Sequence, residues 1–262
     1  MDDKELYVYH YTTMEVLEKI LSNIRIIHDN ECRELEPGIY ILLRASSAFY
    51  MNDKLEYQMM PHHLQEKFDS ILKKYVNYID GEPFIISFSN VKDSIPMWLN
   101  YAKQGKGVCL EFDKKKLINW VEQWKQDNIN NYNIEINSGN CNYEHMDNNN
   151  DVIIEEEDNN RMDTVRQYSS LLIKYAFHKH PSFKYEDEWR ILIRNNNPLK
   201  FYVKNEMIVP YEELPIPISC LSAIYIGANV DFDKAQHSIS LMLNPYISRY
   251  KIDIIKSENP LQ

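Results

Sequence analysis

Two carboxylates two residues apart open the segment KYEDEWRILI (184–193): Glu186, then Glu188, with Arg190 a further two residues on. On a strand, side chains alternate between faces, so these three would share one face while Trp189, Ile191 and Ile193 share the other. Such a pair suits cleavage of a glycosidic bond. One carboxylate stabilises the positive charge that grows on the sugar, and the other accepts a proton from the incoming nucleophile. Arg190 would either hold the carboxylates in place or meet a phosphate. Taken alone, Glu-x-Glu is also what the solvated face of an ordinary edge strand looks like. A second candidate lies near the N-terminus, where YVYHYTT (7–13) sets His10 in a run of aromatic and β-branched residues. By itself, that ring reads as a core histidine bonded to a carbonyl. A third is the SFS triplet, Ser87, Phe88 and Ser89, inside PFIISFSN (83–90).

The elements that must position these residues follow from periodicity. Residues 6–11 alternate, with Leu6, Val8 and His10 on one side and Tyr7, Tyr9 and Tyr11 on the other, which predicts a strand. Residues 12–23 switch to helical spacing, with Val16, Leu17, Ile20 and Leu21 on one face. Thr12 and Glu15 fit a capping box, so Thr12 is expected to open that helix. His10 then falls at a strand end beside a helix start. Further strands are expected at 39–43, 83–90 and around VCLEFD (108–113), and in EWRILI, KFYVK, MIVPY, LSAIYIGA and YKIDIIKS. Helices are expected at 62–79, from DSIP (93–96) onward, along KKKLINWVEQW, and at 161–178 and 232–243. Asp93 or Ser94 would cap the second of these, with Pro96 in its first turn. Residues of about 126–160 are rich in Asn and acidic side chains and read as an excursion, with short strands near 132–136 and 141–144. Strands and helices mix without βαβα alternation. The expectation is therefore an α+β fold: one domain over 1–262, with mostly antiparallel strands flanked by helices.

Composition removes several function classes. The chain has 262 residues, 44% of them hydrophobic, enough for a sizeable core. No apolar run is long enough to span a membrane, and the acidic N-terminus lacks a signal pattern, so a soluble cytoplasmic protein is expected. Four scattered cysteines and eight histidines form no recognisable metal-ligand spacing, so no metal is expected. There is no glycine-rich phosphate loop. With a net charge of −10, duplex nucleic acid is not favoured as a partner.

A strand-end His-x-Thr, a central SFS strand and a late Glu-x-Glu come in the order that resembles the ADP-ribosyltransferase superfamily. YHYTT looks most like the His-type first motif of that superfamily. The resemblance implies NAD as co-substrate. Glu188 would be the catalytic glutamate on the nicotinamide ribose, and Glu186 would activate the acceptor. His10 would bond a ribose hydroxyl, flanked by Tyr11 and Thr12 around the nicotinamide. Ser87 or Ser89 would support the pocket. Tyr11 stands where many His-type relatives have glycine, and Arg44, Lys179 and Arg190 are the candidates for the pyrophosphate. Over most of its length the chain also resembles the bacterial domain-of-unknown-function family 2971, through YHYTT, MNDKLE, SFSNVKDSIPMW, GVCLEFD, KHPSFKYEDEWR and IYIGA. Its members look like stand-alone effectors or toxins, including in phage defence. That implies an ADP-ribosyltransferase-like fold, a macromolecular acceptor (or water) and a restraining or activating partner. Two other functions remain open from the residues alone. One is a non-catalytic module that binds a nucleotide or a protein partner in the same cleft. The other is a metal-dependent nuclease built on Asp53, Glu56, Glu186 and Glu188.

Overall fold

The computed structural model describes residues 6–28, 37–50, 82–127, 134–144, 173–195, 200–204, 206–247 and 249–261. The helix expected at 62–79, residues 161–172 of the next expected helix, and Asp53 and Glu56 lie outside the described residues.

The opening strand is β1 (Tyr7–Thr12). The helix that follows, α1 (Met14–Ser22), buries Leu17, Ile20 and Leu21, while Val16 is left exposed. Its N-cap is Thr13, whose side chain accepts from the Val16 amide; Thr12, expected there, is the last residue of β1. Arg25–Ile27 form β2, Gly38–Ser47 β3, Glu82–Ser89 β4 and Val108–Asp113 β5. Between the last two lies α2 (Ile95–Tyr101), and after them α3 (Lys114–Asp127). The Asn-rich stretch contributes β6 (Ile134–Asn140), longer than the strand expected there; the second expected strand is reduced to a bridge between Asn142 and His178. A 3-10 turn (Pro181–Glu186) leads into β7 (Glu188–Asn195). The chain continues through β8 (Lys200–Lys204), β9 (Met207–Pro217), β10 (Leu221–Ile226), α4 (Phe232–Ile247) and β11 (Asp253–Lys256).

These strands form one sheet, antiparallel except where β10 runs parallel to β11. The architecture is a mixed sheet of mostly antiparallel strands with helices against it, in line with the α+β expectation. Its centre is β4. One edge of β4 pairs along its whole length with β7. The other edge is divided: Ser89 pairs with Tyr9 of β1, while Phe84 and Ile85 pair with Ser47 and Ser46 of β3. No registered strand pair covers Ile86–Phe88 on that edge, so the wing β11-β10-β5-β1 and the wing β3-β9-β8 part there. Packing, not ladder bonds, joins the two wings beneath the seam. Val8, Ile41, Leu43, Phe84, Ile86, Phe88, Leu110, Phe112, Trp189 and Ile191 are buried on the side covered by α1, α3 and α4. On the other side Tyr9, Tyr11, Met97, Trp98 and Cys109 form a second cluster under α2. Each buried large apolar side chain contributes roughly 1.5–3 kcal/mol, so both wings are anchored independently of the gap.

Candidate active site

The parted seam is a cavity of about 200 Å³ lined by β1 (Tyr9, His10, Tyr11), β3 (Arg44, Ser46), β4 (Ile85–Ser89) and α2 (Met97, Tyr101), with Lys179, Glu186 and Glu188. His10 and Glu188, 178 positions apart in the chain, thus line one cavity. A second cavity of about 550 Å³ adjoins it, sharing His10 and Arg44 and adding Lys19, Arg25, Leu42, Tyr211 and Glu213.

His10 crosses the gap between the wings. Its Nδ1 lies 2.9 Å from the Ser87 carbonyl, an acceptor only, so Nδ1 carries the proton. Burial lowers the ring's pKa below 6.5, against the opposing pull of that carbonyl. At neutral pH the ring is uncharged, and Nε2 is an acceptor for a ligand hydroxyl.

Period two correctly separates Glu188 and Arg190 from Trp189 and Ile191, but the polar face of β7 is not solvated. The helical turn at 173–176 and the 3-10 turn cover it, and the side chains of Lys179, Glu186, Glu188 and Arg190 are each at most 4% exposed. Buried ions need partners, and these have them. Arg190 donates from Nε (2.7 Å) and Nη2 (2.9 Å) to the two oxygens of Glu188 and from Nη1 (2.6 Å) to the Ala176 carbonyl. Burial alone would raise the Glu188 carboxyl; the Arg190 guanidinium, helped by Lys179, outweighs it and holds the carboxyl at about 2. Glu188 is therefore a carboxylate at every physiological pH.

Glu186 is not on the strand. It ends the 3-10 turn, and Asp187 follows in the left-handed region at φ 42°, which breaks the two-residue alternation. The turn nonetheless brings both carboxylates to one nitrogen: Lys179 Nζ donates to Glu186 Oε2 at 2.6 Å and to Glu188 Oε2 at 2.9 Å. The Tyr101 hydroxyl donates to Glu186 Oε1 at 2.8 Å. Tyr101 was not singled out from sequence; an aromatic ending a helix that starts just after the SFS strand is the signal that could have found it.

The two serines divide the labour. Ser89 Oγ donates to the Glu186 carbonyl at 2.6 Å, fixing the backbone of the turn. Ser87 Oγ lies near enough to Glu188 to favour its charge, yet it is buried in the cavity wall with no partner at hydrogen-bond geometry. Tyr11, expected beside the nicotinamide, is held: its hydroxyl donates to the Val91 carbonyl and accepts from the Ser94 amide, and its ring meets Trp98 edge-on. It serves as wall. Thr12 is buried beyond the cavity lining, and Arg190 stands behind Glu188 without lining the cavity, so neither is placed to touch a ligand there. Of the three cations considered for phosphate, Arg44 is the exposed one. Its guanidinium lies 4.6 Å from the centroid of the Tyr202 ring and 4.2 Å from that of Tyr211, at the junction of the two cavities.

Comparison with known families adds one match. Residues 97–191 match the family described as "Protein of unknown function (DUF2971)". The matched stretch, about a third of the chain, runs from α2 into β7 and so carries Tyr101, Lys179, Glu186, Glu188 and Arg190. Comparisons with curated proteins and with solved structures returned no match.

Proposed function

We propose that the seam is the active site of an NAD-using transferase that passes ADP-ribose to a macromolecular acceptor or to water. One observation carries this reading: Glu188, clamped by Arg190, and His10, with Nδ1 on the Ser87 carbonyl, line the same cavity although 178 positions separate them. NAD supplies a glycosidic bond to a cationic nitrogen heterocycle, a leaving group that needs no general acid. The residues fit it. His10 Nε2 accepts a hydrogen bond from a ribose hydroxyl. The unpartnered Ser87 Oγ has a hydrogen-bonding capacity that a sugar can satisfy. Glu188 presents fixed negative charge where positive charge develops on the sugar. Glu186 takes the acceptor's proton as the new bond to C1′ forms and the C1′–N bond breaks, its electron pair leaving with nicotinamide. Arg44 stands where the cavities meet, placed for the diphosphate, and the second cavity has room for the adenosine half. Together the two spaces fall within the roughly 300–1,000 Å³ usual for ligand sites. Effector or toxin action rests on the family resemblance alone.

The test is nicotinamide release from NAD by the purified protein, with and without cell lysate as a source of acceptors. Glu188→Gln should lower it about 10²–10³-fold, the scale of losing one preorganised electrostatic contact. Release no greater in wild type than in this variant would end the reading. NAD binding without turnover would favour a sensing module instead. Activity that needs a divalent cation and no NAD would favour a nuclease, although a metal at Glu186 and Glu188 would first have to displace Lys179.

A further inference from the structure

The reaction above leaves a buried ammonium without a task. Lys179 is 3% exposed and lies among acidic and aromatic groups from several elements. Glu188 and Arg190 come from β7, Glu186 and Tyr185 from the 3-10 turn, and Tyr101 from α2. Tyr143 sits beyond β6 with its hydroxyl on the Glu188 amide, and His10 faces the same cavity from β1. Lys179's own backbone is pinned, its amide donating to the Asn142 carbonyl at 2.9 Å, and its ammonium lies 5.0 Å from the centre of the Phe183 ring. The side chain is therefore held on both carboxylates rather than swinging between them.

We propose that Lys179 is a positioning residue, an internal counter-ion that lets Glu186 and Glu188 stand ionised side by side and so keeps Glu186 able to accept a proton. The inference rests on the transferase reading for its consequence in catalysis, but its electrostatic content stands apart from it. Two carboxylates that share a dry site do not both ionise; one keeps a proton unless a cation intervenes. Arg190 spends Nε and Nη2 on Glu188 and Nη1 on a carbonyl, so Glu188 retains a cation when Lys179 is removed. Glu186 does not: what would stay beside it are neutral hydroxyls, those of Tyr101 and Tyr185. The proton of a Lys179-less site therefore settles on Glu186, and the base is lost while the charge stabiliser survives. This separates Lys179 from an ion pair that only ties the turn to β7, whose removal would lower stability without moving the acid limb of the transfer reaction.

The experiment compares wild type with Lys179→Met, Lys179→Arg and the double variant Lys179→Met/Glu186→Gln. In Lys179→Met the acid limb of the pH profile for ADP-ribose transfer should move up by about 1–3 pH units, while Lys179→Arg keeps it near the wild-type position. Infrared difference spectra of the protein without NAD should show a protonated-carboxyl band at neutral pH in Lys179→Met. That band should be absent from wild type and from the double variant. If wild type proves inactive with NAD, the transferase reading falls, and the infrared band alone decides whether Lys179 sets the protonation of the pair. Should Lys179→Met fold poorly, the double variant, which removes one negative charge with the positive one, should recover most of the lost melting temperature. An unchanged acid limb with no carboxyl band, or melting losses that simply add in the double variant, would overturn the proposal.

Discussion

At the scale of single residues, His10 and Glu188 tie stability to pH in the same sense, since the fold holds both deprotonated. His10 is held neutral in the fold, its pKa lowered below 6.5, so below that pH the unfolded chain binds the proton more readily. Its contribution to stability is present above pH 6.5 and is lost as pH falls from there towards the folded-state value. Glu188 is depressed from 4.5 to about 2, so its stabilisation is present above 4.5 and lost between those two values. A His10→Gln variant keeps a donor for the Ser87 carbonyl but has no ring to protonate. Its melting temperature should decline less than that of wild type as pH is lowered from 6.5, with the acid decline due to Glu188 unchanged. Calorimetric melts across pH 3–8 would check this; parallel curves for the two proteins would mean that His10 is not held neutral. The same substitution should slow nicotinamide release, because the amide nitrogen of glutamine occupies the bond to Ser87 and no ring acceptor remains for the ribose.

At the scale of elements, the wall formed by α2 depends on a clasp from the far end of the chain. Asp93, with a left-handed backbone at φ 50°, was one of two alternatives for the helix cap, Ser94 being the other. Ser94 is the N-cap, without a side-chain cap bond, and the Asp93 carboxylate works elsewhere. It accepts from Trp98 Nε1 at 2.6 Å, Ser257 Oγ at 2.5 Å and the Glu258 amide at 2.9 Å, tying the segment after β11 to α2. Asp93→Ala leaves a buried indole N–H without its partner and frees the terminal segment. It should cost roughly 2–3 kcal/mol in urea unfolding. Because Met97 and Tyr101 lie on the same helix and line the cavity, nicotinamide release should fall as well. A loss below about 0.5 kcal/mol, the range of an ordinary surface change, would show that the clasp is not needed. Gly107 marks a second joint: a Cβ there would run into the Thr12 carbonyl and the Ala102 backbone, so β1 and the end of α2 approach each other through that glycine.

At the scale of the whole molecule, the candidate site follows from a sheet that does not close. The wing carrying β1 brings His10; the wing carrying β3 brings Arg44; β4 and β7 between them bring Ser87 and Glu188. The Arg44 guanidinium lies against the rings of Tyr202 of β8 and Tyr211 of β9, which meet each other edge-on, so its planar group is oriented before any ligand arrives. Replacing it with Ala should raise KM for NAD about 10- to 100-fold, the equivalent of one charge-assisted hydrogen bond. Release from nicotinamide mononucleotide, which lacks the adenylyl half, should be affected less. Equal effects on both substrates would remove Arg44 from the diphosphate. Among the described residues no helix is long and apolar enough to cross a membrane.

What was legible in advance was what depends on near neighbours in the chain. Period two separated Glu188 and Arg190 from Trp189 and Ile191, and helical period put Leu17, Ile20 and Leu21 on the buried face of α1, with Val16 the one exposed residue of the four expected there, because such alternation needs only local backbone geometry. A single left-handed residue, Asp187, was enough to defeat the same reasoning at Glu186, and one position's slip moved the cap from Thr12 to Thr13. The meeting of His10 with Glu188, the capture of both glutamates by Lys179 and the retreat of Arg190 from ligand to support are contacts between distant segments. No period encodes those. They were decided when β4 divided one edge between two strands, since the site is made of the backbone that neither strand covers.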